Sequence, residues 1–327
     1  MADEDPDSRP TSLGDLLGSL PAVKAAKKVN TLSRVHQRLI TQPEEGDDQR
    51  LAFQHSVFCQ TSLPFRDPGD DVREWKRKQG AVSLLVEAGQ AQHPKTGDWV
   101  KLGLPWGTKP RLILAHLNAE ALRQRSPEIE VEGSLTAFVR RIRGFQQGRE
   151  IRMFKDQLSR LSVATVRMAA MNEDGEGRQI NTNIVHDLRL WPELDERQRV
   201  LWPSTITLSL DYFASLQKHA VPLNESDLAA LAHSSLALDI YAWLAQRLHR
   251  VDPKRPVFLQ WPALMQQFGA DYGRMVNFKP KFITALRQVL ARYQTARVDV
   301  DKGGLRLFNS HPPVAQRVFI VPPKALP

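Results

Sequence analysis

Twice along the chain an amphipathic helical pattern runs straight into two alternating segments separated by turn residues, and few folds accept that order. The first instance is Arg149 to Leu161. It sets Ile151, Phe154, Leu158 and Leu161 on one side and Arg149, Arg152, Lys155, Asp156 and Ser159 on the other. Strands are predicted to follow over Val163 to Met171 and Gln179 to Leu188, across the turn Asn172 to Gly177. The second instance is Lys281 to Tyr293, a helix predicted to bury Phe282, Ile283, Leu286, Val289, Leu290 and Tyr293, followed by the stretch VDVDKGGLRLF, Val298 to Phe308.

That last stretch has two readings. With Asp299 as the first position of a calcium loop, the fifth falls on Gly303 and the twelfth on Ser310. Two acidic side chains cannot furnish the six to eight oxygens that calcium takes. As a hairpin the segment is coherent: Arg297 to Val300 and Leu305 to Phe308 alternate, and Asp301-Lys302-Gly303-Gly304 offers residues that tolerate positive φ.

Upstream of each instance the order is also shared. Thr108 begins a helix with Pro110 in its first turn and a stripe of Leu112, Ile113, Leu117, Ala121 and Leu122, ending before Ser126-Pro127. A short strand over Glu128 to Val131 and a helix over Leu135 to Ile142 precede Arg149. In the second half, a helix over Leu236 to Leu248, a strand over Val257 to Leu259 and a helix over Pro262 to Phe268 precede a turn-rich Gly269 to Asn277. Between the halves, a strand over Trp202 to Leu208, a helix over Asp211 to His219 and a boundary at Val221 to Asn224 are expected. Nearer the N-terminus, Leu51 to Phe58 reads as a strand, and Ala81 to Glu87 and Trp99 to Leu102 as a strand pair. Helix, strand, helix, turn, helix, hairpin is the order of a winged helix. The expected fold is therefore α+β, mainly helical, with tandem winged-helix domains and small β-hairpin wings. The expected units are a disordered or weakly helical arm at 1–50, a winged helix with a leading β segment at 51–223, a second winged helix at 224–313, and a Pro-rich tail at 314–327.

The charge follows the repeat. The chain is net +9, yet its first 50 residues hold seven Lys or Arg against nine Asp or Glu, so the rest carries +11. Arg140 to Arg167 and Arg274 to Arg306 each hold eight basic residues against two acidic ones. Clustered cations of this kind suit phosphate neutralisation, and a helix suits the major groove. The candidate DNA-binding residues are Arg149, Arg152, Lys155 and Ser159 on the first helix. On the second helix they are Lys281, Thr284, Arg287, Gln288 and Arg292, with Arg297, Lys302 and Arg306 on its hairpin.

Catalysis is not expected. No phosphate loop of the G-x-x-x-x-G-K-[ST] type, no H-E-x-x-H and no G-x-S-x-G occurs, and one cysteine, Cys59, builds neither a zinc finger nor an intrachain disulfide. His116, His233 and His249 sit in helical contexts. Tyr212, Tyr241, Tyr272 and Tyr293 lack the paired histidines that a metal-assisted nicking enzyme needs. No cofactor and no metal are expected. The acidic start MADEDPDSRP and the absence of eighteen consecutive apolar residues point to a cytoplasmic protein without a membrane partner.

The stretches LGLPWGTKPRLILAHLNAEAL, SPEIEVEGSLTAFVRRI, MFKDQLSRLSVATVRM, ERQRVLWPSTITLSLDYFASLQKHAVPL, SLALDIYAWLAQRLHRV and LRLFNSHPPV, spread in order over Lys101 to Val314, resemble plasmid-encoded RepA replication proteins. The resemblance implies a theta-type initiator that binds double-stranded DNA at plasmid origin repeats, helps open the duplex, engages host replication proteins and forms homodimers. It carries over no catalytic residue. A transcriptional repressor or copy-number regulator with the same DNA surface, and a non-enzymatic protein-interaction scaffold, remain as alternatives.

Overall fold

The computed structural model describes residues 50–92, 96–130, 148–171, 177–189 and 205–314, with positions 137, 139 and 140 between them. The expected arm over 1–50, apart from Arg50, and almost all of the expected tail over 314–327 lie outside the described residues. Among the described residues are eight α-helices and fourteen strands, all paired antiparallel in five small sheets. The mixed α+β class agrees with the expectation.

Strand β1 (Leu51–His55) stops early because His55 turns its Nδ1 to accept the Val57 N–H and caps a one-turn helix, α1 (Ser56–Gln60). The last three residues of the expected strand are therefore helical. Strands β2 (Glu74–Gln79) and β3 (Val82–Glu87) form a hairpin whose turn holds Gly80 at φ 55°. Strands β4 (Gln90–Gln92) and β5 (Trp99–Lys101) form a separate hairpin. The expected pairing of 81–87 with 99–102 is thus not formed, because Glu74–Gln79, almost all polar, occupies the edge of β3 instead.

Helix α2 (Thr108–Gln124) matches its expected start and ends at Arg125 in the left-handed conformation, φ 52°. Its residues Lys109 to Asn118 are buried around the full circumference, so α2 is the central helix of the fold. Among its buried polar residues, Asn118 donates to the Phe53 carbonyl and accepts from the Tyr212 hydroxyl. Strand β6 (Glu128–Glu130) and helix α3 (Gly148–Val163) follow. The expected helix over 135–142 is helical at 137, 139 and 140, and otherwise lies outside the described residues.

Strands β7 (Thr165–Met171), β8 (Gly177–Asn183), β9 (Val185–Arg189) and β10 (Thr205–Leu208) complete two sheets. In one the order is β2-β3-β7-β8, and in the other β6-β10-β9, so β10 lies between β6 and the end of the hairpin. Helix α4 (Leu210–His219) leads to β11 (Ala220–Asn224), which pairs with β1. The stretch expected as a boundary is thus a strand, with Pro222 opposite Phe53 in a two-stranded ribbon where proline is tolerated.

Helices α5 (Glu225–Leu231) and α6 (Ser235–Arg247), strand β12 (Val257–Gln260), helices α7 (Trp261–Phe268) and α8 (Met275–Arg292), and strands β13 (Val298–Val300) and β14 (Gly304–Leu307) form the second half. Here β12 pairs with β14 and β14 with β13. Helix α8 begins six residues earlier than expected and contains Pro280. Phe278 packs edge-on to Tyr272 at 5.6 Å and tilted against Phe282 at 5.4 Å, and this aromatic packing holds the first turns helical despite the missing N–H.

The halves are joined by a buried guanidinium. Arg111 on α2 gives Nε and Nη2 to both oxygens of Asp239 on α6, at 2.6 and 2.8 Å. Its other donors go to the carbonyls of Leu63, Pro64 and Gly107. Burial pushes the Asp239 carboxyl up, while Arg111 pulls it back. A second tie runs from Arg77 on β2 to the carbonyls of Gln266 and Gln267 at the end of α7, both at 2.8 Å.

Candidate nucleic-acid interface

Helix α8 has two chemically distinct sides. Phe278, Phe282, Ala285, Leu286 and Val289 are buried, a spacing that follows the helical period and fixes the roll of the helix. Lys281 and Thr284 are exposed on the other side, and Arg287 and Gln288 are half-buried beside them. Arg292 is differently placed. Its Nε donates to Asp227 Oδ1 at 2.9 Å and its Nη2 to the Ser226 hydroxyl at 3.3 Å, so it clamps α8 to α5. Asp227 also accepts from the Tyr241 hydroxyl at 2.9 Å. Burial pushes this carboxyl up, against the pull of Tyr241 and Arg292.

The hairpin after α8 is braced against its base. Lys279 Nζ reaches the Lys302 carbonyl at 3.2 Å and lies 4.7 Å over the Trp261 ring. Asp301 Oδ1 accepts from the amides of Gly303 and Gly304, at 2.7 and 2.9 Å. This carboxylate holds the turn, and no group of three or more metal-ligating residues occurs among the described residues. Neither Gly303 nor Gly304 has positive φ, contrary to the expectation. Gly304 is there because β12 approaches it: a Cβ would come within 2.0 Å of the Leu259 carbonyl oxygen. Asp299 stands opposite Arg306 in register. Arg297, Lys302 and Arg306 are exposed, and Arg297 lies 5.4 Å over the Phe308 ring.

Helix α3 buries Phe154, Leu158 and Leu161 as expected and exposes Arg149, Arg152 and Ser159, with Lys155 half-buried. Arg149 and Arg152 are exposed at an open cleft. They line it, at about 550 Å³, together with the start of α2 and Ser235 at the start of α6. Lys109 and Trp106 lie on its wall, and neither was singled out as a binding residue from the sequence. Both fall in the stretch LGLPWGTKPRLILAHLNAEAL, which leads into α2 with Gly107 at φ 80°.

Residues considered for catalysis occupy structural places. The hydroxyls of Tyr212, Tyr241 and Tyr293 bond Asn118, Asp227 and the His311 carbonyl, and burial pushes all three up. Tyr272 stacks edge-on to Phe278. His116 is buried in α2, while His233 and His249, each just past a helix end, bond the carbonyls of Ala230 and Ala245 in the helix before. Cys59 is buried, which pushes its thiol far up and away from reactivity. No described helix is long and apolar enough to cross a membrane.

These features define a class: a mixed α+β protein that carries basic helices, each followed by an antiparallel hairpin. Residues 104–261, just under half of the chain, match the family model described as plasmid encoded RepA protein. The match runs from just before α2 to the first residue of α7, so α8 and its hairpin lie beyond it. Among solved structures, a selenomethionine derivative of domains 2 and 3 of RctB is similar at 10% identity. It covers 79% of this chain and 97% of that one with a TM-score of 0.47. A second structure of RctB domains 2-3 is similar at 10% identity, covering 77% and 94%, with a TM-score of 0.44. Comparison with curated proteins gives no match.

Proposed function

We propose that the chain is a RepA-family protein that initiates plasmid replication by binding origin repeats with two winged-helix units, 51–223 and 224–313, then helping to open the duplex and recruiting host replication proteins. The observation that carries the reading is the face formed by α8 and the hairpin Val298–Leu307. Lys281, Thr284, Arg287 and Gln288 lie on the side of α8 that its core stripe leaves outward, Lys302 and Arg306 are exposed on the hairpin, and Lys279 of α8 ties to the hairpin turn at the Lys302 carbonyl. In the second unit β12 lies between α6 and α7 in sequence and pairs with β14, as a winged helix requires. On such a face Arg287 and Gln288 would read base edges, while Lys281, Arg297, Lys302 and Arg306 would neutralise phosphates. In the first unit Lys155 and Ser159 on α3 are the corresponding candidates, and Arg149 and Arg152 lie at the cleft.

The test is retention of the full chain by origin fragments in competition with random DNA. Arg287→Ala is expected to cost ~1–3 kcal/mol on the origin site and little on random DNA. Equal retention of both DNAs by the parent protein would overturn the reading. So would unchanged origin affinity in the variant.

A further inference from the structure

We propose that the cleft between α2, α3 and α6 binds a nucleotide through its phosphate, at a site separate from the α8 face. Three cations line the cleft: Lys109 from the first turn of α2, and Arg149 and Arg152 one turn apart on α3. The acids nearby are already engaged. Glu150 lies 3.5 Å from Lys109, and Asp156 accepts from Arg160 Nε at 3.0 Å. Arg149 and Arg152 form no ion pair among the described residues, so the cleft keeps uncompensated positive charge where a dianionic phosphate would sit. Trp106 on the wall keeps its indole N–H buried with no acceptor among the described residues. A buried donor of this kind is costly unless a ligand supplies the acceptor.

The size and the wall set the class of ligand. About 550 Å³ falls within the range of small-molecule sites and exceeds what a bare phosphate fills. Trp106, Phe65 and Met153 give the cleft apolar lining suited to a base, and Thr108 and Ser235 add hydroxyl-bearing residues suited to a sugar. A duplex about 20 Å across does not enter such a cleft. The site has no glycine-rich phosphate loop and needs none, because side-chain cations supply the charge.

Titration calorimetry of the full chain with dAMP, inorganic phosphate and a single-stranded oligonucleotide tests the assignment. Saturable binding of dAMP is expected, weakened at least tenfold in the double variant Arg149→Ala/Arg152→Ala. Weaker binding is also expected in Trp106→Phe, which removes only the indole donor and keeps the ring. Melting temperatures near the parent's show that both variants fold. No saturable dAMP binding overturns the proposal, as does unchanged affinity in the double variant. Binding of the oligonucleotide alone also overturns it and makes the cleft a strand-backbone contact. Arg287→Ala on α8 is expected to leave dAMP binding intact, so failure of the cleft and failure of origin binding are read separately.

Discussion

At the scale of single residues, Asp301, Gly303 and Gly304 show how one short stretch can be read correctly for the wrong reason. Alternation announces the hairpin in the sequence, but the glycines there do not serve positive φ. Gly304 is required because its Cβ would lie 2.0 Å from Leu259 O and 2.9 Å from Gln260 Cα, both backbone atoms of the neighbouring strand. At Gly303 the nearest neighbours are side-chain atoms at 3.4 Å, an ordinary contact distance. Gly304→Ala is therefore expected to destabilise the fold by about 1–3 kcal/mol in urea unfolding, the usual range for overpacking. Gly303→Ala should stay within about 0.5 kcal/mol of the parent. Equal effects would refute the close-approach explanation. The partner that distinguishes the two glycines is 40-odd residues away on β12, so no local pattern could separate them.

At the scale of elements, the helix most legible in the sequence is α8, whose stripe of Phe282, Leu286 and Val289 is buried as its period predicts. What the period could not separate is the polar side. Arg287 and Arg292 look equivalent in sequence, yet Arg292 is bound to Asp227 and Ser226, and Arg287 makes no ion pair among the described residues. Their alanine variants should differ in kind. Arg292→Ala leaves the buried Asp227 carboxylate without its cation and is expected to cost about 1–3 kcal/mol of folding stability, with origin affinity unchanged. Arg287→Ala should do the reverse. Chemical unfolding and DNA retention measured on both variants decide it; a loss of origin affinity equal to that of Arg287→Ala would return Arg292 to the interface. Strand β2 shows the opposite limit. EWKRKQ carries little apolar signal, and it is a strand because β3 offers it an edge and Gly80 closes the turn.

At the scale of the whole molecule, the junction of β1, α1 and α4 carries a pH dependence. His55 is buried with Nε2 3.0 Å from the Ser215 hydroxyl, Nδ1 facing the Val57 N–H, and the Tyr212 and His219 rings beside it. Burial, with the neighbouring His219, pushes its pKa down from 6.5 to about 3. The unfolded chain takes the proton near 6.5 and the folded one only near 3, so the contribution is complete above 6.5 and is lost as the pH falls. The loss approaches about 1.4 kcal/mol per pH unit within that window. Measured as the difference between the parent and His55→Gln, so that other groups cancel, unfolding free energy should fall more steeply for the parent between pH 6.5 and 5. Parallel profiles would show that His55 is not held neutral.

By itself, the sequence determined the mixed α+β class, most helices within a few residues, the two basic helices with their hairpins, and the resemblance to the RepA family. All of these rest on periodicity, turn residues and charge, which are properties of neighbours along the chain. Tertiary structure alone decided that α2 is buried on every side, that Arg111 and Asp239 join the halves, and that Arg149 and Arg152 face a cleft with Lys109 and Trp106. Each of these depends on which surfaces the chain brings together from distant positions, and burial of that kind leaves no period to read.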